Sequence, residues 1–175
     1  QGGCRIIKEF VMFSVGDYVV CGNKGVCRVD QISPLDISGA SSEDYYILKP
    51  VYSPGSTVYI SMESADEKLR AVLTKKEADK LVKQMPGVPD ITVDNDKQLE
   101  GEYKNCIRSN NAMELVRLLK TIYHRREARF AAGRKETALD AKYFRMAGDY
   151  LYGELAISLN IPREEVEGYI GNTIS

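Results

Sequence analysis

The feature that most constrains the fold is a pair of short apolar runs joined by a glycine-rich break. The first run covers residues 18–21 and the second residues 26–32, and both are rich in β-branched and aromatic types. Between them stands Gly-Asn-Lys-Gly, whose two glycines and asparagine tolerate the positive φ angles of a tight turn. The pattern predicts a β-hairpin. Because an isolated hairpin is barely stable in water, this one should be the first half of a small barrel.

The rest of the chain divides into a strand-rich half and a helical half. Further strands are predicted over residues 44–50, 56–61 and 69–73, and Pro34 and Gly39 predict a loop over residues 33–43. Thr74 and Glu77 spell a capping box that starts a helix up to Met85. Four more helices are predicted, over residues 96–109, 112–132, 137–159 and 162–170. The predicted fold class is α+β, a small N-terminal β-barrel followed by a C-terminal all-helical domain.

Composition shifts set the expected domain limits. Two prolines and a glycine at residues 86–89 predict a boundary there, so the barrel domain takes residues 12–85 and ends in a helix. The helical domain takes residues 91–171. Residues 1–11 fit no element and precede a methionine, so we expect an appended leader. No apolar run is long enough for a membrane span.

Charge and cysteine usage exclude several classes of function. The 175-residue chain has a net charge of −1, so nucleic-acid binding would need a local basic patch. Cys4, Cys21, Cys27 and Cys106 lack partners at zinc-ligand spacing, and His124 is the only histidine. No secretory signal is recognisable, which predicts a reducing compartment and free thiols. We therefore expect no catalytic residue, no metal, no cofactor and no small-molecule substrate.

The hairpin segment also resembles a known family. Residues 13–29 read F-x-V-G-D-x-V-V-x-G-x-x-G-V-x-x-V, which is similar to the opening of the CarD/CdnL family of bacterial transcription regulators. The same module is the RNA-polymerase-interacting domain of transcription-repair coupling factor. Residues 151–156 (Leu-Tyr-Gly-Glu-Leu-Ala) and the Thr-x-x-Asp-x-x-Tyr start at residue 137 resemble the family's closing helix. The resemblance spans residues 12–161 and implies that the barrel is Tudor-like or SH3-like.

The resemblance implies that the barrel docks on the RNA polymerase β subunit by strand addition. In that mode, main-chain bonds give affinity and alternate side chains give specificity. The strand that corresponds to the family's docking strand comprises Thr57, Val58, Tyr59 and Ile60. The alternative is structural: Val58 and Ile60 are core residues, and Tyr59 merely faces solvent.

For the helical domain, the resemblance implies contact with upstream promoter DNA, non-specific in sequence. The family wedges a tryptophan into the minor groove; this chain has none, and Leu99 takes that position beside Tyr103 and Lys104. A basic stretch at residues 117–135 predicts phosphate contacts. The cations assigned to this surface are Arg125, Arg126, Arg129 and Lys142. The alternatives are that Leu99 is a core residue and that the arginines form an ordinary solvated helix face.

The leading hypothesis is a cytoplasmic, nucleoid-associated transcription regulator that binds polymerase through the barrel and stabilises the promoter open complex through the helical domain. The alternative is an adaptor that binds polymerase, or another strand edge, without touching DNA. Glu100 and Glu102 beside the wedge position favour this alternative. A third hypothesis, an enzyme, requires a polar pocket around His124. A helix-turn-helix over residues 156–170 is rejected because its recognition helix would be acidic.

Overall fold

The structure, a computed structural model, describes residues 12–35 and 43–175. Residues 12–71, where described, form mainly an antiparallel sheet in which the fourth, third, second, first and fifth strands along the chain lie side by side, and residues 72–175 are mainly helical. The α+β prediction is confirmed. The strands are β1 (Tyr18–Cys21), β2 (Gly25–Leu35), β3 (Glu43–Pro50), β4 (Val58–Ser61) and β5 (Leu69–Ala71). The leader assigned to residues 1–11, with Cys4, lies outside the described residues.

The second strand is longer than the sequence predicts. It continues through Pro34 to Leu35, where Pro34 pairs with Asp44, so the predicted loop at residue 33 is wrong for its first residues. β1 pairs with β2 only as far as Arg28, so beyond the bulge at residues 29–31 the described part of β2 has a neighbour on one side alone. A proline is tolerated there because its missing N–H faces away from the pairing strand.

One face of the sheet covers a small apolar core. Alternate residues of each strand point to it, which is the period-2 pattern of a pleated strand. The short helix α1 (Ala65–Lys68) adds Ala65. The buried members are Phe13, Val19, Cys21, Cys27, Val29, Tyr46, Leu48, Ile60, Ala65 and Leu69.

The helices begin at the predicted residue or within four residues of it. They are α2 (Lys75–Gln84), α3 (Leu99–Arg108), α4 (Ala112–Ala131), α5 (Ala138–Leu159) and α6 (Val166–Ile174). The capping box is present: the Glu77 N–H donates to Thr74 Oγ1 at 3.2 Å, and the Thr74 N–H donates to Glu77 Oε2 at 2.8 Å. Asn111 and Thr137 cap α4 and α5 through their side chains. The last helix runs four residues further than predicted.

The helices enclose a second, larger core. Its centre is formed by α4 and α5, with Leu118, Ile122, Leu151 and Leu155 almost inaccessible to solvent. The buried residues of α2 belong to this cluster and not to the core under the sheet. This packing favours a domain boundary just before Lys75. The domain limits predicted from the sequence, with the barrel domain ending at residue 85 and the helical domain starting at residue 91, stay a prediction.

The two cores meet along the opposite face of the β1–β2 hairpin. Val20 and Val26 are buried on this face, which explains why the hairpin strands are apolar at successive positions. Gly25 has a φ of +74°, and a Cβ there would lie 2.8 Å from Cδ1 of Tyr150 on α5. The Tyr150 hydroxyl donates to the carbonyl of Asn23 at 2.9 Å. The hairpin turn is therefore part of the domain junction.

An ion pair closes the junction at the edge of the sheet. Arg70 on β5 donates from both terminal nitrogens to the Glu154 carboxylate on α5, at 2.5 and 2.6 Å. The Leu73 N–H donates to the same carboxylate at 3.0 Å. Only 1% of the Glu154 side chain and 24% of the Arg70 side chain are exposed. The sheet and the helices thus share a buried, doubly bonded charge pair.

Candidate functional site

The strand predicted to bind a partner is an edge strand. β4 pairs with β3 alone, in the register Tyr45–Ser61, Tyr46–Ile60, Ile47–Tyr59 and Leu48–Val58. Within residues 12–35 and 43–175, no strand lies against its outer side. An unpaired edge presents free N–H and C=O groups to another chain.

The register shows which main-chain groups face outward. The Met62 N–H donates to the carbonyl of Asp44 at 2.9 Å, which extends the ladder by one residue and makes these two a hydrogen-bonded pair. In an antiparallel ladder such pairs alternate with non-bonded ones. Val58 and Ile60 therefore bond to β3, and Tyr59 directs its N–H and C=O to the open edge.

The side chains of β4 alternate in the same way. Ile60 is buried in the core under the sheet, Val58 packs partly against that core, and Tyr59 is 54% exposed. Thr57, just before the strand, accepts a hydrogen bond from the Lys49 ammonium at 2.6 Å. The strand thus combines an anchored face with one free aromatic side chain.

At the opposite edge of the sheet, the helical part of the chain bonds to residues on and beside β1 and β5. The Asn110 side chain, between α3 and α4, donates to the carbonyls of Val20 and Lys68 at 3.1 and 3.3 Å. Arg70 Nε donates to the Asn110 carbonyl at 2.5 Å. Asn110 therefore ties the helical part of the chain to the β5 side of the sheet, whereas β4 pairs with β3 alone.

Two residues predicted to contact DNA are core residues instead. Leu99 and Tyr103 are buried in the helical core. A buried side chain cannot enter the minor groove without leaving the core, so Leu99 is a core residue and not the predicted wedge. The Tyr103 hydroxyl donates to Asp140 Oδ1 at 2.8 Å, and its ring meets that of Tyr143 edge-on with centroids 5.4 Å apart. Burial, followed by this hydrogen bond to Asp140, raises the pKa of Tyr103 well above its usual range.

The three arginines predicted to bind phosphate have partners within the chain. Arg125 Nε donates to the fully buried Asp140 carboxylate at 3.3 Å. Arg126 Nε lies 3.0 Å from Glu136 Oε2, and its guanidinium stacks 4.8 Å from the Phe144 ring centroid. Arg129 Nε donates to the carbonyl of Lys135 at 2.7 Å, closing the end of α4. All three arginines thus make contacts within the chain, and their role in phosphate binding stays a prediction.

The two lysines assigned to DNA remain at the surface, on two different helices. Lys104 on α3 pairs with Glu100 at 3.2 Å, one helical turn away. Lys142 on α5 lies with its ammonium 5.2 Å from the Tyr143 ring centroid. Lys142 instead joins Lys24 and Arg145 around a cleft between the hairpin and α5. Sequence reasoning missed this cluster because its members come from separate segments.

The structure shows the surroundings of three of the cysteines and of the histidine. Cys21, Cys27 and Cys106 are buried free thiols, and burial raises the pKa of Cys27 to about 12. His124 Nδ1 lies 2.7 Å from Asp90 Oδ2, but the groove beside it is mainly apolar. Among the residues that the structure describes, no group of three metal-ligating side chains converges, and no helix is long and apolar enough to cross a membrane.

Comparison with known proteins agrees with the geometry of the sheet. No curated protein matches the chain. The model of the CarD-like/TRCF RID domain matches residues 13–73. This match begins at Phe13 in the core under the sheet and ends between β5 and α2, so it contains all five strands and the open β4 edge. Residues 13–73 of this chain are therefore a CarD-like/TRCF RID domain.

Proposed function

We propose that this protein is a transcription regulator that binds the RNA polymerase β subunit through the outer edge of β4. The observation that carries the proposal is the open edge itself, within a segment that matches the CarD-like/TRCF RID domain. The strand at the other edge of the sheet, β5, is held to the helical part of the chain by the bond from Arg70 to the Asn110 carbonyl. An added strand would bond to the main chain of Tyr59 and pack on its exposed ring.

Two substitutions at Tyr59 separate main-chain from side-chain binding. Proline at this position removes an N–H that points away from β3, so the internal ladder should survive. Aspartate keeps the N–H but places a carboxylate beside the added strand. We expect both Tyr59→Pro and Tyr59→Asp to weaken retention of the purified β subunit by at least tenfold, with native far-UV circular dichroism.

Tyr123 provides a matched control for these variants. It is 53% exposed, close to the value for Tyr59, but it lies on α4. Tyr123→Asp should bind the β subunit like the unmodified protein. Full retention by Tyr59→Pro, or an equal loss in Tyr123→Asp, would show that the polymerase does not bind along this edge.

Contact with promoter DNA is a second and separable proposal. It is supported by the exposed ammonium groups of Lys104 and Lys142. The engagement of Arg125 with buried Asp140 favours the adaptor alternative, in which the helical part does not touch DNA. Replacing Arg125 would disturb the fold, so it is a poor probe of DNA binding.

The lysines allow a cleaner test of DNA contact. If the protein stabilises the open complex through phosphate contacts, Lys104→Ala with Lys142→Ala should shorten the lifetime of polymerase–promoter complexes. The same double variant should flatten the dependence of that lifetime on salt concentration. An unchanged lifetime and an unchanged salt slope, with polymerase binding intact, would leave the adaptor function alone.

A further inference from the structure

A cleft of about 420 Å³ lies where the two domains meet. One wall is the turn between β1 and β2, with Lys24 and Gly25, and a second is the turn after β3, with Tyr52 and Ser53. The third wall is the middle of α5, and Arg163 closes one end. The cleft exists only because the barrel and the helices are packed together.

The charge of this cleft is strongly positive. Lys24, Lys142, Arg145 and Arg163 line it against a single carboxylate, Asp149. Arg163 is ion-paired with Asp149, and its guanidinium stacks 5.4 Å from the ring centroid of Tyr52. In the described structure, the other three cations have no carboxylate within 4.0 Å.

Three like charges around one small concavity repel each other unless an anion enters. We propose that the cleft binds the diphosphate group of a free nucleotide. A nucleoside diphosphate carries roughly three negative charges at neutral pH, which matches the three unpaired cations. The volume is at the lower end of small-ligand pockets, about 300–1,000 Å³. This ligand site goes beyond the polymerase-binding function and does not depend on it.

The cations come from both domains, and this sets a specific expectation. Lys24 belongs to the hairpin turn of the barrel, and Arg145 belongs to α5. Both side chains are exposed and neither has an ion-pair partner, so replacing either one should leave the fold intact. A bound diphosphate bridges the two domains and therefore stabilises their packing by mass action.

The test is isothermal titration of the full chain at low salt with ADP and, separately, with inorganic pyrophosphate. Lys24→Ala and Arg145→Ala should each lower the affinity about tenfold, because a charge-assisted hydrogen bond to phosphate contributes about that factor. The double variant should lose about a hundredfold if the two contacts are independent. Lys76→Ala, an exposed lysine on α2 outside the cleft, should bind like the unmodified chain.

Three outcomes would overturn the proposal. One is the absence of saturable binding of either probe at millimolar concentration. Another is an equal loss of affinity in Lys76→Ala, which would indicate general charge attraction. The third is binding of duplex DNA that depends on Lys24 and Arg145 while ADP and pyrophosphate fail, which would assign the cleft to backbone phosphates. Polymerase binding is tested separately, by retention of the β subunit on β4 variants. A failure of the diphosphate titrations would therefore leave the proposed polymerase-binding function unaffected.

Discussion

The buried ion pair between Arg70 and Glu154 makes the sharpest stability prediction for this molecule. Replacing Arg70 with methionine keeps most of the side-chain volume and removes both bonds to the carboxylate. Glu154, with 1% of its side chain exposed, would then keep only the Leu73 N–H among the three hydrogen bonds that its carboxylate oxygens accept. The variant therefore leaves a buried charge without its countercharge.

The expected cost follows from the burial of the two groups. Removing one partner of a fully buried pair costs about 3–5 kcal/mol, because the remaining charge stays desolvated. Arg70 is 24% exposed, so solvent screens part of the interaction and the lower end of about 3 kcal/mol applies. For a chain of 175 residues this corresponds to a fall in Tm of about 6–12 °C.

Thermal and urea unfolding followed by circular dichroism would measure this loss. Replacing both partners, Arg70→Met with Glu154→Leu, should recover at least half of it, since no unpaired charge remains. Lys104→Met, which breaks an exposed pair with Glu100 on one helix, should leave Tm unchanged within error. A loss below about 1 kcal/mol for Arg70→Met, or a double variant no better than the single one, would refute the reasoning.

The remaining predictions concern the hairpin. Gly25→Ala should lower the free energy of unfolding, measured by urea titration, by about 2–3 kcal/mol, because it combines left-handed backbone strain with a Cβ placed 2.8 Å from Tyr150. Gly55→Ala is the control: it is also at positive φ but has open space around it, so it should lower the free energy of unfolding by only about 1 kcal/mol. Because burial raises the pKa of Cys27 to about 12, its thiol is neutral at pH 8, and mass-mapped alkylation should modify it only in urea. In the unfolded chain the Cys27 thiol has a pKa near 9.0, whereas in the folded chain its pKa is about 12. The contribution of Cys27 to the free energy of unfolding should therefore fall as pH rises from 9.0 to about 12. A contribution that stays constant over this pH range would contradict the prediction.

Local signals in the sequence were sufficient for the elements. Turn residues and alternating apolar positions predicted the strands, and side chains with capping geometry predicted the starts of α2, α4 and α5. These features depend on neighbours within a few residues of the chain. The same locality explains the error at Pro34, since a proline that breaks a central strand is tolerated where one side has no neighbour.

The candidate docking strand was also predictable, but only in part. Alternation along residues 57–60 and the family resemblance identified the strand and its exposed Tyr59. How the helices pack beside the edges of the sheet is decided by residues far apart in the chain. Asn110 bonds to Lys68 beside β5, 42 positions earlier in the chain.

By itself, then, the sequence determined the strands, the helices and the identity of the barrel, because these depend on residue type and short spacing. Only the tertiary structure decided which charges are free. Arg125 is neutralised by Asp140 and Arg70 by Glu154, partners that are 15 and 84 positions away. Lys24 and Arg145 line one cleft, and neither has a carboxylate within 4.0 Å in the described structure. A cation's role depends on what lies within a few ångströms of it, and that distance is set by packing and not by position in the chain.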